Sequence, residues 1–548
     1  MRKIKRAGAV LLAVVMTVCM LSGCYGGIAE KRASEKTEPL TFSKVSIEDG
    51  NSWETDQTPI TIEWFVCYDW FGKSFSPETN LADKKILDAT GITIKFTSGD
   101  LDKLNLLITT DSLPDVITMD ATASQRKLLE DNGLLYPLDE LEKDYAPDLN
   151  VPESMKQWYQ NDDGHWYSLA SYFTSDERCN SDFGGYRVSH AHNFVRTDLL
   201  EQIGGTLEDL QTKEGFLNIL RKVKEEKLTY DGQKVVPFMG HYAPYLAQQF
   251  GMCLEDENGD LVNEKRTPEF LEAMLFYNTL YREGLMTDED FTMDAQQRDT
   301  KIASGAVFAA AGLPVVQTAR ESLYSFDPEA LMLYCGHTSG EEGKEPALLS
   351  AASAGWTSTM ITRNAENPHR IAQLFSFLTT EEMTLDAQYG TDTYDIIDGA
   401  VTKRKDVNQE FSENYQAAAA KYNLDMSFMI DWSIIQKYQA VPEDPLDEDE
   451  LKMNKDPDVN IIDDKCFTNV NPEANSDLAG IKTKIDNYWQ QAEPEIIMAE
   501  SEEECIRKFE EAIARMDSMG MKELDAYQNE RFHENKDNLG LDRAWTAD

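Results

Sequence analysis

The stretch Pro59–Val66 reads PITIEWFV, and it sets the type of fold that the following residues continue. Ile60, Ile62, Trp64 and Val66 alternate with other residues, so they fall on one face of an extended strand. A helical pattern, NLADKKILDATG, stops at a glycine, and the alternating ITIKF comes directly after it. A further helix precedes the short apolar strand in LPDVITMD. The order strand, helix, strand, helix, strand predicts a mainly parallel sheet covered by helices.

Beyond this region the pattern is mostly helical. Thr267 with Pro268, and Asn367 with Pro368, are start signals for two amphipathic helices. The segment 441–464 is acidic and interrupted by proline, so we expect it to be a surface excursion. Two more helices, at about 478–512 and 521–536, are expected to complete the chain.

The first residues have the composition of a secretory signal. RKIKR is basic, and the apolar run that follows, Ala7 to Leu21, is shorter than the about twenty residues that span a bilayer. The other interpretation of this run is a buried N-terminal helix. Leu21-Ser22-Gly23-Cys24 resembles the bacterial lipobox, which implies cleavage before Cys24 and attachment of a lipid to its thiol. Two acyl chains suffice for stable anchoring.

The segments after the lipobox differ in composition. We interpret residues 1–23 as a lipoprotein signal peptide and residues 24–57, which are polar and lack an apolar period, as a flexible tether. The rest of the 548-residue chain is too long for one hydrophobic core, so two lobes are expected.

The charge of the chain is strongly acidic. There are 98 Asp and Glu against 52 Lys and Arg, for a formal net charge of −46. A polyanion would be repelled, so nucleic acid is a poor partner. Solubility accounts for this charge, and the carboxylates are too many to nominate a catalytic pair.

Motifs for metals, cofactors and common catalytic centres are missing from the sequence. It has no His-Glu-x-x-His, G-x-S-x-G, Walker loop or G-x-G-x-x-G, and the spacings of Cys67, Cys179, Cys253, Cys335, Cys466 and Cys505 match no zinc or redox motif. We expect most of these thiols to be free. His190 and His192 are close, but no third ligand is visible. DENGD, at 256–260, indicates a hairpin turn more than a calcium loop. We therefore predict no metal and no cofactor.

Several sequence blocks occur in a fixed order. They are LPDVITMD, NGLLYPLDELEKDYAPDL, DDGHWYSLA, FVRTDLLEQIGG, TPEFLEAMLFYNTLYREGL, NPHRIAQLFSFLTTEE and AQYGTDTYDI, and RMDSMGMKELDAYQNERF lies near the end. In this order and chemistry the chain, from about residue 59, resembles the extracellular solute-binding proteins of family 1. These are the lipoproteins that feed carbohydrate-type ABC importers.

The resemblance implies an α/β, two-lobed, periplasmic-binding-protein-like fold of type II, helix-rich, with C-terminal helices. Lobe 1 would comprise residues 58–168 and 347–395, and lobe 2 residues 169–346 and 396–548. It also implies a ligand in the cleft between the lobes and closure by a hinge. Two departures from the family pattern stand out. EEKLTYDGQKVVPF replaces a calcium-like loop, so no calcium is expected there, and Tyr167-Ser168-Leu169-Ala170 lacks a usual proline.

Sugar sites combine aromatic platforms with carboxylates, amides and arginine. We looked for such side chains in loops that follow strands, in the long irregular stretch 171–192, in AGWTSTM just before the strand that leads to the NPHR helix, and at the turn YGTDTYD, which the family tends to use near its hinge. The candidate ligand-binding residues are Tyr68, Asp69, Trp70, Tyr172, Tyr186, Arg187, His241, Tyr242, Trp356, Tyr389, Asp392 and Tyr394. For each of them, packing within a lobe is the alternative.

The leading hypothesis is a non-enzymatic binding protein. It would capture a carbohydrate, an oligosaccharide or a sugar derivative, and would dock on ABC permease subunits as a monomer. It would be extracytoplasmic and held on the outer face of the cell membrane by a lipid on Cys24. The alternatives are a surface glycan hydrolase or lyase, with two acids about 5 to 9 Å apart, and a receptor of the same fold that binds peptides or serves in sensing.

Overall fold

The computed structural model describes residues 40–47, 50–175, 178, 189–312, 315–340, 344–351, 353–438, 440–454, 456, 459–473 and 476–545. The expected signal peptide, Cys24, Cys179, Tyr186 and Arg187 lie outside these residues. The described chain divides into two compact units. The first is Met1–Gly185 with Ala354–Ala440, and the second is Tyr186–Ser353 with Val441–Asp548.

The strands alternate with helices through most of the chain. In chain order the strands are β1 (Ile60–Val66), β2 (Ile92–Ser98), β3 (Val116–Asp120), β4 (Leu169–Ala170), β5 (Asn193–Arg196), β6 (Thr229–Tyr230), β7 (Gln233–Lys234), β8 (Val236–Met239), β9 (Val307–Ala311), β10 (Met332–Tyr334), β11 (Ala347–Leu349), β12 (Thr357–Ile361), β13 (Tyr394–Ile397), β14 (Ala400–Lys403) and β15 (Asn460–Ile462).

The α-helices of the first unit are Leu81–Thr90, Leu101–Thr109, Ser124–Asp131, Leu138–Tyr145, Glu153–Trp158, Pro368–Leu378, Glu381–Tyr389, Lys405–Glu413, Tyr415–Tyr422 and Trp432–Lys437. Those of the second unit are Thr197–Gln202, Lys213–Glu226, Ala243–Gln249, Pro268–Arg282, Ala295–Ala303, Val315–Phe326, Pro445–Asn454, Asp477–Ile497, Glu502–Met519 and Met521–Leu539.

The first unit is built on a sheet of order β2-β1-β3-β12-β4. β1 runs parallel to β2 and β3, whereas β12 is antiparallel to β3 and β4. Trp64 and Val66 of β1 are buried in one hydrophobic cluster, while Phe65 is buried in another, so helices cover both faces of the sheet. The predicted alternation of strands and helices is therefore confirmed, and β1, β2 and β3, on which the prediction rested, are parallel. The sheet as a whole is mixed, because β12 enters it antiparallel to β3 and β4.

The second unit has its own sheet, of order β10-β5-β9-β8. β5 is antiparallel to β9 and β10, and β8 is parallel to β9. Phe194 and Val195, neighbours on β5, are buried in different hydrophobic clusters. This sheet too has apolar packing on both faces.

The boundaries of the two units differ from those expected for the lobes. Residues 169–175 belong with the first unit because β4 pairs with β12, and the Tyr172 N–H donates to the Ile430 carbonyl at 2.7 Å. Residues 396–440 also belong there, because β13 and β14 form a hairpin and Val401 bridges to Ala440.

Part of the expected tether 24–57 is folded. Leu40 and Phe42 pack against the core of the first unit, and Trp53 is buried against Phe377. The backbone N–H of Ser52 donates to Asp148 at 2.9 Å. The expectation of a flexible segment is therefore wrong for these residues, because the polar stretch contains isolated aromatic anchors that show no period.

Two expectations for the second half of the chain are also wrong. The segment 441–464 is not a surface excursion: it contributes the helix Pro445–Asn454 and strand β15, which pairs with β11. The helix expected at 478–512 is two helices. The break between them is held by Asn278, whose amide donates to the carbonyls of Ile497 and Ala499.

Candidate functional site

One edge of the first sheet gathers several sequence-predicted residues. The carboxyl ends of β1, β3 and β4 meet there, together with the start of antiparallel β12. Tyr68, Asp69 and Trp70 follow β1, Tyr172 follows β4, and Trp356 precedes β12. Ligands of open α/β sheets bind outside the carboxyl ends of the strands.

The aromatic side chains at this edge form a continuous chain, which we call the aromatic ridge: Trp70, Tyr68, Trp356, Tyr172 and Trp432. Trp70 lies nearly parallel to Trp356, with centroids 6.1 Å apart and planes at 10°, and Tyr68 lies within 5.5 Å of both. Tyr172 is 6.1 Å from Trp356 and 6.0 Å from Trp432. Trp70 is 64% exposed, which is rare for a side chain of this size.

The backbone at the centre of the ridge is constrained. Tyr172 has a φ of 56°, a left-handed conformation that is an outlier for a bulky residue. Gly355 has a φ of 101°, and a Cβ there would lie 2.7 Å from the Cβ of Ala170. Only glycine fits this approach of β12 to β4, which brings Trp356 against Tyr172. Strain of this kind is found at sites of function.

Trp432 is a ridge residue that the sequence did not reveal. It begins a helix whose N-cap, Asp431, accepts a hydrogen bond from the Ser433 backbone N–H. Asp431 is also paired with Arg178, which donates to Asn150 as well. No strand directly precedes Trp432, so looking for aromatic residues after strands does not identify it.

The ridge has carboxylates beside it. Burial, together with the negative charges of Asp100, Asp69 and Asp120, raises the pKa of the Cys67 thiol to about 11. Burial and Asp120 also raise the pKa of Tyr68, which keeps its phenol protonated. Asp120 ends β3, and sequence reasoning missed it although the strand-end rule would have found it. The site therefore combines aromatic faces with hydrogen-bond acceptors.

Three other candidates of the first unit lie around the hairpin β13–β14. Tyr389 and Tyr394 are 5.9 Å apart and join the apolar cluster that also contacts Tyr172 and Trp432. The Tyr394 hydroxyl donates to Asp386, which is paired with Lys85. Asp392 is exposed, with a φ of 61°. Contacts within the unit therefore account for both tyrosines.

The remaining described candidates, His241 and Tyr242, belong to the second unit and follow β8. His241 Nδ1 lies 2.8 Å from the buried carboxylate of Asp290, and its ring contacts Phe291. The Tyr242 hydroxyl accepts a hydrogen bond from Arg298 at 2.8 Å, and its ring stacks on Tyr245. The edge of the second sheet where β8 and β9 end also carries a second group of polar side chains.

This second polar group is a cluster of buried histidines. His192 precedes β5 and lies 5.7 Å from His337, ring to ring. The Tyr334 hydroxyl lies within 3.0 Å of both the His337 ring and Asp456. Burial lowers the pKa of His337 to about 4, and it lowers the pKa of His192 strongly. Both rings are thus neutral at neutral pH.

Within the described residues, no group of three or more His, Cys, Asp or Glu side chains is arranged to hold a metal ion. The DENGD segment forms a tight turn, in which Asp256 accepts from the backbone N–H groups of Asn258 and Asp260, and Glu255 bridges to Leu261. The hairpin that the sequence indicates there is confirmed. Cys67, Cys253, Cys335, Cys466 and Cys505 are free thiols.

The fold is that of the substrate-binding proteins of ABC transporters. FusA of S. pneumoniae, an ABC-transporter substrate-binding protein solved with kestose, superposes with a TM-score of 0.67 at 15% identity, over 87% of this chain and all of that one. A human-milk-oligosaccharide-binding (HMO) solute-binding protein of Bifidobacterium longum infantis gives 0.63 at 15% identity, over 87% of this chain and 99% of the other. The alginate-binding protein AlgQ2 superposes with a TM-score of 0.62 at 16% identity, over 88% of this chain and 100% of the other. The expected α/β fold with two lobes is confirmed.

Sequence comparison gives a partial match. Lipoprotein LipO of Bacillus subtilis (strain 168) is 25% identical over 248 residues, which is 42% of this chain and 46% of LipO. The chain thus matches less than half of that lipoprotein. No family model matches the chain. In the part of the chain that the structure describes, no helix has the length and apolar composition needed to cross a bilayer.

Proposed function

We propose that this protein captures a carbohydrate, an oligosaccharide or a sugar derivative, and delivers it to an ABC importer without covalent chemistry. The observation that carries the proposal is the aromatic ridge at the carboxyl ends of β1, β3 and β4. Aromatic faces stack on the C–H faces of sugar rings, and the neighbouring carboxylates accept hydrogen bonds from hydroxyls. The structural neighbours, which include binders of kestose and alginate, support the same function.

The proposed setting is the outer face of the cell membrane. Cys24 would carry the lipid that holds the protein there, as a monomer that docks on permease subunits. Support comes from the Leu21–Cys24 motif and from the partial likeness to a lipoprotein. Metabolic labelling with a radiolabelled fatty acid tests the anchor: the native chain should incorporate label, and Cys24→Ser should not. Label retained by Cys24→Ser would contradict it.

Binding is tested by calorimetry and thermal unfolding with a glycan panel. A ligand at about one hundred times its Kd should stabilise the protein by about 2.7 kcal/mol. Chromatography of the recovered glycan should show it unchanged. Cleaved or shortened glycan would instead support a hydrolase or lyase, and stabilisation by cationic peptides alone would support the peptide receptor.

A further inference from the structure

We propose that a cavity inside the second unit binds a small ligand through a primary ammonium group, with Asp464 as the counter-ion. The cavity has a volume of about 230 Å³, and its lining includes Asp464, His190, Gln248, Tyr245 and Phe467. All of the lining residues belong to the second unit, whereas the aromatic ridge belongs to the first. The inference therefore goes beyond the proposed function and does not depend on it.

The size of the cavity limits what it can hold. One water molecule occupies about 30 Å³ of the liquid, so the volume corresponds to about seven or eight water molecules. A single hexose ring or a short aliphatic amine occupies a comparable volume, and a chain of several sugar rings does not fit. The ligand, or the part of it that enters, is therefore small.

The carboxylate of Asp464 has one oxygen bonded and the other free. Oδ1 accepts hydrogen bonds from the Ser350 hydroxyl at 3.0 Å and from the Ser353 backbone N–H at 2.9 Å. The Asp464 backbone N–H donates in turn to the Ser350 Oγ at 2.9 Å. Within the described residues, no hydrogen bond is made to Oδ2 of this carboxylate. The three bonds fix the orientation of the carboxylate and leave Oδ2 as the acceptor that a ligand in the cavity can use.

The charge of Asp464 has no cation beside it. No Lys, Arg or His in the described part of the chain lies within salt-bridge distance of its carboxylate, and the adjacent Lys465 is paired with Asp463 at 3.1 Å. Burial raises the pKa of Asp464, and the charge of Asp463 acts in the same direction, against the hydrogen bonds to the carboxylate. Buried carboxylates are normally paired with a cation. An ammonium group in the cavity would supply the missing partner.

The other polar groups of the cavity suit an ammonium compound that also carries an oxygen. Burial lowers the pKa of His190, so its imidazole is neutral at neutral pH and offers a lone pair to a donor. The Gln248 amide oxygen accepts from the Leu349 N–H at 2.9 Å, which leaves the amide nitrogen as a donor. Tyr245 and Phe467 are the aromatic residues of the wall, and an aromatic face attracts a cation. These groups match an amino sugar or an amino alcohol, with its ammonium at the carboxylate and a hydroxyl oxygen at the amide nitrogen.

The test measures binding to the full chain by calorimetry, with ammonium probes and their uncharged counterparts. The sugar set is glucosamine, galactosamine and mannosamine with their parent hexoses and N-acetyl forms, and the sugar-free set is ethanolamine and ethylene glycol. At least one ammonium probe should bind, and its uncharged counterpart should bind at least about tenfold more weakly. Binding of hexosamines alone would assign the cavity to an amino sugar, and binding of ethanolamine would assign it to small amines in general. Binding of no ammonium probe, or equal binding of the uncharged counterparts, would overturn the inference.

A charge variant locates the site at Asp464. Asp464→Asn keeps an oxygen that can accept from Ser350 and Ser353 but removes the charge, so it should weaken the ammonium probe at least about tenfold. Glu257→Gln, at an exposed carboxylate of the second unit, is the matched control. It changes the net charge by the same amount and should leave the affinity within about twofold of the native value.

A second variant leaves this carboxylate intact. Ala351 is half-buried in the cavity wall, and Ala351→Leu would fill part of the space and weaken the same probe at least about fivefold. If Asp464→Asn lowers the unfolding temperature, Ala351→Leu decides. Trp70→Ala, in the first unit, should leave the affinity for the ammonium probe within about twofold. A loss in Trp70→Ala would place the probe on the ridge and overturn the inference. Unchanged binding in both cavity variants would also overturn it, while the proposed function, tested at the ridge, would stand.

Discussion

At the scale of the residue, Trp70 is the side chain that packing does not explain. It is 64% exposed, yet its ring is held nearly parallel to Trp356. A buried tryptophan is retained for its apolar area, but an exposed one gains little from folding. A ligand that stacks on the exposed face of Trp70 would bury that face and so explain why the ring is held in place.

Replacing this tryptophan should separate binding from stability. Trp70→Ala should weaken glycan binding about five- to twelvefold, because a lost stacking face costs about 1 to 1.5 kcal/mol. The unfolding temperature should change little. Calorimetry and thermal unfolding of the same samples measure both. Tyr415→Ala is the control, since Tyr415 is 67% exposed and outside the ridge. A Trp70→Ala variant that binds normally would contradict the site.

Individual residues also show which parts of the candidate site could be predicted from the sequence. Tyr68 and Trp70 could be predicted because they follow a strand, and Trp356 because it comes just before one; local sequence locates both kinds of position. Trp432 was not found, because its place depends on Asp431 and Arg178, which meet only after the chain folds. Tyr389 and Tyr394 satisfied the same composition rule, yet intra-unit contacts account for them.

At the scale of the element, a buried charge pair joins the turn after Leu254 to the last helix of the second unit. Glu255, 2% exposed, accepts from Lys536 of the last helix at 2.7 Å and from the backbone N–H groups of Ala544 and Trp545. These hydrogen bonds fix Ala544 and Trp545, near the end of the described chain, against Glu255. Long-range pairs of this kind have no local signal in the sequence.

Removing the charge from this pair should destabilise the second unit. Glu255→Gln leaves the Lys536 ammonium buried without its counter-ion, which should cost about 3 kcal/mol or more of unfolding free energy. Urea unfolding followed by fluorescence measures the loss. The exposed neighbour Glu257→Gln should be within about 0.5 kcal/mol of the native protein. Equal stability of the two variants would show that the buried pair contributes nothing.

The histidine cluster beside β5 and β10 predicts a pH dependence of stability. The pKa of His337 is lowered to about 4 by burial, with Asp456 acting in the opposite direction, and His192 is lowered strongly as well. An unfolded histidine titrates near about 6.5, so below that pH the unfolded chain takes up protons that the folded chain does not. Stability contributed by the neutral rings is full above about pH 6.5 and is lost as the pH falls toward 4.

Urea unfolding at about pH 7 and pH 5 tests this dependence. His337 alone should account for a loss of about 2 kcal/mol over that interval, since one pKa unit corresponds to about 1.4 kcal/mol. His337→Gln should reduce the difference between the two pH values by that amount, whatever its own effect at pH 7. His533→Gln, at a half-exposed position, serves as the control, although it loses a contact with Asp260. A pH difference unchanged in His337→Gln would contradict the assignment.

At the scale of the whole molecule, neither unit is continuous in sequence. The chain leaves the first unit near residue 185, returns near 354 and leaves again near 440. Composition and length predicted two lobes, and the order of blocks placed them approximately. The exact crossings could not be predicted, because they depend on which strand pairs at a distance. β12 joins β3 and β4 across more than 180 residues of chain.

The position of β12 makes the first unit dependent on its returning segment. It lies between β3 and β4, and the helix Pro368–Leu378, buried along nearly its whole length, packs on the same core. A fragment of residues 40–185 lacks these elements and would expose the apolar faces of Trp64 and Ile117.

We expect this fragment to show no cooperative urea transition. Mixing it with a fragment of residues 354–440 should restore one, because together they contain the whole sheet. Circular dichroism and near-ultraviolet signals measure both states. The matched control is the 354–440 fragment carrying Met360→Asp, which places a charge at a fully buried position of β12 and should abolish the recovery. Cooperative unfolding of 40–185 alone would show that the central strand is dispensable and that the first unit folds before its chain returns.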